Sequence, residues 1–274
     1  MATSATTLES DIREHLQTIF TETTAPLVVV NPSENVLEAL IIAATEYDTD
    51  LPEVRVLAAE SILKTVVEDF IIASHAADLI ADDTLALRTA PEISHNSLLV
   101  TSEQIIAFIS IDGEIRGVAS DESEVVEPMH ETFLNEWETA EPFTLRTPPY
   151  SQVLDTLEED IGTETKDDFV ALLDSVESVR GTGDELDEVE ISLLAAAKNE
   201  VLFYDIGKWG EDTGVASKAT FSRVKTMLED RGLVETEKVP IEVGRPRLRL
   251  RLATEDLQKT DIEELVHRVQ EQLA

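Results

Sequence analysis

Residues 217–251 read SKATFSRVKTMLEDRGLVETEKVPIEVGRPRLRLR, and the rest of the chain is interpreted around them. The stretch holds nine of the 21 lysines and arginines in a 274-residue chain, against five acids. It therefore carries +4 in a chain of formal charge −36, which leaves −40 on everything else. A basic island in so acidic a chain marks a landing place for an anion, and its pattern says which kind. Ser217 is placed to cap a helix along which Phe221, Val224 and Leu228 form one apolar stripe. The opposite side shows Ala219, Ser222, Arg223 and Thr226, flanked by Lys218 and Thr220. Such a helix can enter a major groove. Small side chains permit close approach, Arg223 can fork onto guanine or phosphate, and hydroxyls bond base edges.

Gly232 ends that helix, and residues 234–242 and 245–253 read as two strands. The second alternates Arg247, Arg249 and Arg251 with Leu248, Leu250 and Leu252, which sends leucines inward and arginines outward. Between the strands, Val243-Gly244-Arg245-Pro246-Arg247 makes a stiff basic tip. A tip of that kind, carrying Arg245 and Arg247, is what a wing needs to reach a minor groove or flanking backbone. Upstream, residues 188–199 form a first helix with Val189, Leu193, Leu194 and Ala197 on one face. Residues 204–215 form a second, with Ile206 and Trp209 inward and Gly214 at its end. Only Gly214, Val215 and Ala216 separate it from Ser217, the spacing of a helix-turn-helix. The expected partner is double-stranded DNA at a promoter or operator. The alternative is an adaptor that uses the same winged helix to hold a protein.

The N-terminal half has a different grain. Residues 7–21 are helical, with Leu8, Ile12, Leu16, Ile19 and Phe20 in register. Leu27 to Val30 (LVVV) is a continuous apolar run that suits a strand buried on both faces. Ser33 then caps a helix, a second strand-like run follows Pro52, and one long helical pattern covers 61–81. Short strand signals follow at 85–88, 98–100, 105–111 and 114–118, the last two joined by the hairpin pair Asp112-Gly113. Residues 121–140 are helical, with Phe133, Trp137 and Ala140 sharing a face. This alternation predicts an α/β domain with a mostly parallel sheet. Beyond Pro142, Pro148 and Pro149, two helices are expected at 151–161 and 166–179, the latter capped by Thr165. GTGDE at 181–185 reads as a linker. The expected organisation is an α/β sensor-like domain over 1–147, a helical linker over 148–184, a winged helix-turn-helix over 185–254 and a terminal helix over 255–274. That helix, opened by a Thr260/Glu263 capping box, either covers the module's core or makes a homodimer seam.

The TFSRVKTMLEDRGLV helix with its GRPRLRLR wing resembles the winged helix of haloarchaeal transcription regulators, and the chain as a whole resembles the TbsP family. The resemblance implies a DNA-binding regulator tied to central sugar metabolism. SLLVTSEQIIAFISIDGEIRGVAS, followed by Phe133-x3-Trp137-x2-Ala140, is similar to the sensor domain of TrmB-type regulators, which implies a phospholipase-D-like α/β fold. The domain order is reversed relative to that family. The phospholipase H-x-K signature is also missing, because His75, His95 and His130 are followed two places on by Ala77, Ser97 and Thr132.

With 57 acids spread along every helix rather than gathered in a tail, the charge fits a salt-rich cytoplasm, and the family resemblance implies an archaeal one. No apolar run is long enough for a membrane span, the N-terminus lacks a signal-peptide pattern, and there is no cysteine. The five histidines have no metal-ligand spacing, and no phosphate-binding glycine loop occurs. Neither a cofactor, a metal nor an enzymatic activity is expected. If the first domain binds a small-molecule effector, parallel-sheet logic places it at the carboxyl ends of the strands, near Asn31, Ser33, Glu60, Ser61 and Arg88.

Overall fold

The computed structural model describes residues 12–47, 50–90, 96–111, 114–178, 186–240 and 246–273. The expected hairpin turn at Asp112-Gly113, the linker at 181–185, and Gly244 and Arg245 of the basic tip lie outside the described residues. The chain divides into two compact units, Met1–Pro149 and Tyr150–Ala274.

The first unit runs α1 (Ile12–Glu22), β1 (Leu27–Val30), α2 (Glu34–Thr45), β2 (Val54–Ala58), α3 (Glu60–Val66), α4 (Phe70–Ala81), β3 (Leu85–Thr89), β4 (Ser97–Val100), β5 (Ile105–Ile111), β6 (Glu114–Ser120), α5 (Ser123–Thr139) and β7 (Glu141–Pro142). Its seven strands lie in the order β6-β5-β4-β1-β2-β3-β7. The expected mostly parallel sheet is corrected to a mixed one, since only β1–β2 and β2–β3 pair in parallel. The reason is connection length. Parallel neighbours need a crossover helix, which α2 and the α3–α4 pair supply. A tight turn joins β4 to β5, where Thr101 N–H donates to Gln104 O at 2.9 Å, and such a turn can only reverse the chain.

The LVVV run behaves as its composition demands. Leu27 and Val29 enter one core with Leu16, Phe20, Leu37 and Leu40, while Val28 and Val30 enter another with Val126, Phe133 and Trp137. Ser33 caps α2 through its hydroxyl, which accepts from Val36 N–H at 3.4 Å. The long helix expected over 61–81 is broken. Asp69 accepts from the N–H groups of Ile71 and Ile72 at 2.9 and 3.1 Å and starts α4 afresh. The apolar period runs through this break, so only the cap marks it.

Phe133 and Trp137 are buried, as their shared face requires. Arg88 holds the end of this motif. Its Nη1 donates to Trp137 O at 2.6 Å and to Ala140 O at 3.5 Å, at the carbonyl-rich end of α5, where a cation is favoured. The same guanidinium lies 4.6 Å from the Trp137 ring centroid.

The second unit runs α6 (Tyr150–Asp160), α7 (Thr163–Ser178), α8 (Glu188–Lys198), α9 (Phe203–Thr213), α10 (Lys218–Asp230), β8 (Val234–Val239), β9 (Arg247–Leu252), α11 (Glu255–Lys259) and α12 (Ile262–Leu273). The segment expected as a linker supplies α6 and α7 to this unit's core. Phe169 of α7 meets Trp209 of α9 edge-on at 6.5 Å, a contact worth about 1 kcal/mol beyond its area. Thr156 of α6 accepts the Trp209 Nε1–H at 3.0 Å. Thr165 does not cap α7. Gly162, at φ +138°, sets the break, and the helix starts directly after it with Thr165 buried inside. Asp168 instead takes Lys198 Nζ at 2.7 Å and Asn199 Nδ2 at 2.7 Å, which joins α7 to the end of α8. At α12, Asp261 rather than Thr260 does the capping, accepting from Glu264 N–H at 2.9 Å. Leu265, Val266 and Val269 are buried, and α12 packs against α7. Of the two expectations for this helix, these contacts fit the one in which it covers the unit's core.

At Gly210 of α9, Phe221 of α10 closes against the helix backbone. A Cβ built there would lie 2.2 Å from Phe221 Cε2, and Phe221 is fully buried with nowhere to swing. At Gly207 the nearest atom is Phe221 Cβ at 4.0 Å, an ordinary contact. Gly210→Ala should therefore destabilise the second unit by about 1–3 kcal/mol through overpacking. Gly207→Ala should leave stability unchanged or raise it by up to about 1 kcal/mol through helix propensity. Urea denaturation of the two variants checks both, and equal effects would contradict this packing.

Candidate nucleic-acid interface

Three features of the chain set up α9 and α10. Trp209 and Ile206 anchor α9 inward. Gly214, at φ +90°, takes the left-handed conformation that ends α9 and turns the chain. Ser217 caps α10 by accepting from Thr220 N–H at 3.1 Å, and its hydroxyl also meets the Thr220 hydroxyl at 3.0 Å. Phe221, Val224 and Leu228 are buried beneath α10. Its outward side consists of Lys218, Ala219, Ser222, Arg223 and Thr226, all exposed, with Thr220 half-buried at the edge. No acid stands among them; Glu229 and Asp230 lie in the last turn. Thr226 donates its hydroxyl proton to Ser222 O at 3.0 Å and so keeps its lone pairs outward. The Arg223 guanidinium and the Ser222 hydroxyl make no hydrogen bond or ion pair among the described residues.

The other cations of the basic island are largely answered from within the unit. Lys218 is hydrogen-bonded to Glu211 of α9, which holds the ammonium above its ordinary pKa and the carboxyl below. Outside the island, Lys208 and Asp212, 2.7 Å apart on α9, shift each other in the same directions. Lys225 is buried, 2.5 Å from Glu229 and over the Phe203 ring, and Glu229 also takes the Thr236 hydroxyl at 2.9 Å. Along β9, Arg247 pairs with Asp205 at 3.2 Å. Arg249 and Arg251 reach Glu200 at 3.6 and 2.8 Å, and Arg251 also reaches Glu237 at 3.5 Å. The arginine row thus braces the sheet against the turn between α8 and α9. Arg247 alone of the two tip arginines can be placed; Arg245 is not among the described residues.

Sequence patterns did not reveal three parts of this surface. Leu202 forms a bridge with Arg249, and Leu250 N–H donates to Val201 O at 2.9 Å, so the segment before α9 adds a third, minimal strand beside β9. Glu200, at φ +52°, holds the turn from which it collects two arginines. Tyr204 is 52% exposed, and the Arg247 guanidinium stacks 4.6 Å from its ring centroid. The inward register of Ile206 and Trp209 already turns Tyr204 outward, which is the one signal that was available.

The residues expected around an effector fall where parallel-strand logic puts them, at the carboxyl ends of β1, β2 and β3. Most of them already have structural work. Asn31 turns the chain at φ +47° while donating its N–H to Leu57 O at 2.7 Å, and Ser33 caps α2. Glu60 pairs with Lys64 at 2.7 Å, and Arg88 is engaged by α5. Ser61 is exposed on the first turn of α3. An open cavity of about 250 Å³ lies at the other end of the sheet, lined by Glu22, Thr23, Thr24, Glu103 and Asp121 among others. Among the described residues no group of His, Asp and Glu is arranged to hold a metal, and no helix is long and apolar enough to cross a membrane.

Two helices joined by the four residues Gly214 to Ser217, the second with an acid-free outward face, define a DNA-binding regulator of the helix-turn-helix class. The sequence model for the N-terminal part of TbsP-like transcriptional regulators matches residues 4–148, and the model for their C-terminal HTH domain matches residues 149–270. The chain belongs to the TbsP-like family of transcriptional regulators. No curated protein sequence matches it. Among solved structures it is similar to TrmBL2, described as an archaeal chromatin protein with a novel mode of DNA binding. That similarity is at 15% identity and a TM-score of 0.37, over 51% of this chain and 53% of that one. It is also similar to NucT from Helicobacter pylori at 9% identity and a TM-score of 0.34, over 52% of this chain and 99% of that one. The match thus spans about half the length of TrmBL2.

If Glu211 restrains Lys218, Glu211→Gln should free that ammonium and remove a nearby negative charge. Affinity for duplex DNA should then rise by a few-fold, more at low salt than at high. Fluorescence anisotropy at two salt concentrations measures this, and a weaker complex would show that the pair positions Lys218 rather than restrains it.

Proposed function

We propose that the protein is a sequence-specific regulator that reads its operator with α10 in the major groove. The observation that carries this reading is the outward face of α10, where exposed Ser222, Arg223 and Thr226 sit beside Lys218 and Thr220 without an intervening acid. Arg223 is the base-reading residue, because its guanidinium is not spent on another side chain among the described residues. Arg245 and Arg247 act as a wing on flanking backbone, with Arg247 presented on Tyr204.

The finer parts of the proposal have other supports. A salt-rich cytoplasm rests on the charge of −36, and its archaeal setting on the sequence resemblance. Control of sugar metabolism and the phospholipase-D-like character of the first unit rest on the sequence resemblance. An effector acting through that unit would meet Asn31, Ser33, Glu60 and Ser61 at the strand ends, whereas Arg88 would serve the fold. A homodimer reading two half-sites follows from the usual symmetry of this class. At molar salt counterion release contributes little, so contact carries most of the affinity.

Arg223→Ala should weaken binding to the protein's own promoter by about 5- to 150-fold, the range for one bidentate base contact of about 1–3 kcal/mol. Arg247→Ala should weaken binding to all sequences alike. Gel shifts with promoter and scrambled duplexes at high salt separate these outcomes. Unchanged promoter affinity in Arg223→Ala would overturn the proposed role of α10.

A further inference from the structure

Tyr204 is the one exposed aromatic among the described residues; every other ring there is buried or half-buried. It stands in the first turn of α9, and its hydroxyl makes no hydrogen bond among the described residues. A phenol joins an apolar ring to one O–H donor. A ring kept outside the core with its hydroxyl unspent is placed to meet a polar partner.

The ring is held in position. The Arg247 guanidinium at the start of β9 stacks 4.6 Å from its centroid, and Asp205, the next residue of α9, holds the same guanidinium at 3.2 Å. Ile206, Trp209, Gly210 and Thr213 face the core, so Tyr204, Lys208, Glu211 and Asp212 share the exposed side of α9. Lys208 bonds Asp212 there, and Lys218, the first residue of α10, bonds Glu211. Those carboxylates hold both ammoniums above their ordinary pKa, with a smaller contribution from Tyr204 in each case, which puts the phenol within electrostatic reach of the two. Tyr204 therefore lies on a strip that joins the first residue of β9 to the first residue of α10.

With α10 in the major groove and Arg247 on the flank, a duplex strand has to cross this strip, and what it presents there is phosphate. Each cation on the strip already faces an acid: Arg247 with Asp205, Lys208 with Asp212 and Lys218 with Glu211, while Asp160 of α6 also acts on Lys208. The strip is thus close to neutral in a chain of −36, and what field remains is screened within about 3 Å at molar salt. A polyanion can cross it without strong repulsion, yet little attracts it there except contact. The Tyr204 hydroxyl is a donor whose bond to phosphate displaces no carboxylate.

We propose that the Tyr204 hydroxyl donates to a phosphate oxygen of the bound duplex, with Arg247 steadying the ring. This rests on the placement of α10 proposed above and adds a backbone contact that fixes its register in the groove.

Fluorescence anisotropy of the full chain on its own promoter and on a scrambled duplex tests it, with Tyr204→Phe and Tyr204→Ala beside the wild type. Tyr204→Phe keeps a ring under Arg247 and removes only the hydroxyl. It should weaken both complexes by about fivefold or more, and the slope of log affinity against log salt should not change, because no charge is removed. Tyr204→Ala should weaken them at least as much, and circular dichroism checks that the fold is kept. Promoter duplexes carrying one methylphosphonate at successive positions give a second measure. At the contacted phosphate the substitution should cost the wild type affinity and cost Tyr204→Phe much less. A Tyr204→Phe protein that binds like the wild type shows a ring that only seats Arg247, and overturns the contact. A loss confined to the promoter, or no phosphate at which the two proteins differ, overturns it as well. If Arg223→Ala weakens promoter binding while Tyr204→Phe does not, this contact alone falls; a wild type that does not bind the promoter overturns the placement of α10 along with it.

Discussion

The geometry of the second unit depends on the close approach of α9 and α10 at Gly210. With no side chain at that position, the buried Phe221 ring can lie directly against the α9 backbone, which brings the two helices together. The left-handed Gly214 and the Ser217 cap then fix where α10 begins, and the Phe221-Val224-Leu228 stripe fixes how it is rotated. The orientation of Ser222, Arg223 and Thr226 follows from these packing choices. Trp209, on the same helix as Gly210, extends the constraint to α6 and α7 through Thr156 and Phe169. The helices before α8 therefore belong to the platform that holds α10.

The electrostatics of that platform differ from what a count of charges suggests. Most cations of the basic island have a carboxylate beside them, and the β9 arginines tie the sheet to the α8–α9 turn. Exposed pairs of this kind are worth little singly, though a network sharing Glu200 orients several side chains at once. Arg223 faces outward from α10 unpaired among the described residues. A surface built this way suits recognition by contact, because screened charges attract little from a distance at high ionic strength.

The first unit shows how a short motif can be structural. Trp137 and Ala140 end α5 at carbonyls that Arg88 bonds, while the ring lies under the same guanidinium. An arginine at a strand's carboxyl end looks like a ligand group in sequence, but here it joins the sheet to the helix that covers it. The two parallel pairings at the centre come from helical crossovers, and the antiparallel arm beside them comes from tight turns. That arm ends in β6, the last strand of the order on that side.

Local periodicity and capping chemistry determined much of this protein directly. The LVVV strand, the Ser33 and Ser217 caps, the inward register of Phe221, Val224 and Leu228, and the outward residues of α10 were all legible, because neighbouring residues decide them. The break at Asp69 and the Asp261 cap were missed where an apolar period or a competing cap hid them. Tertiary structure alone decided the sheet's direction changes, the capture of Arg88 by α5, the Glu200 network, the recruitment of α6 and α7 to the second core and the packing of α12 against α7. Each of these depends on which distant groups meet. A charge or an apolar stripe read along the chain does not say whether its partner is solvent, nucleic acid or another part of the same fold.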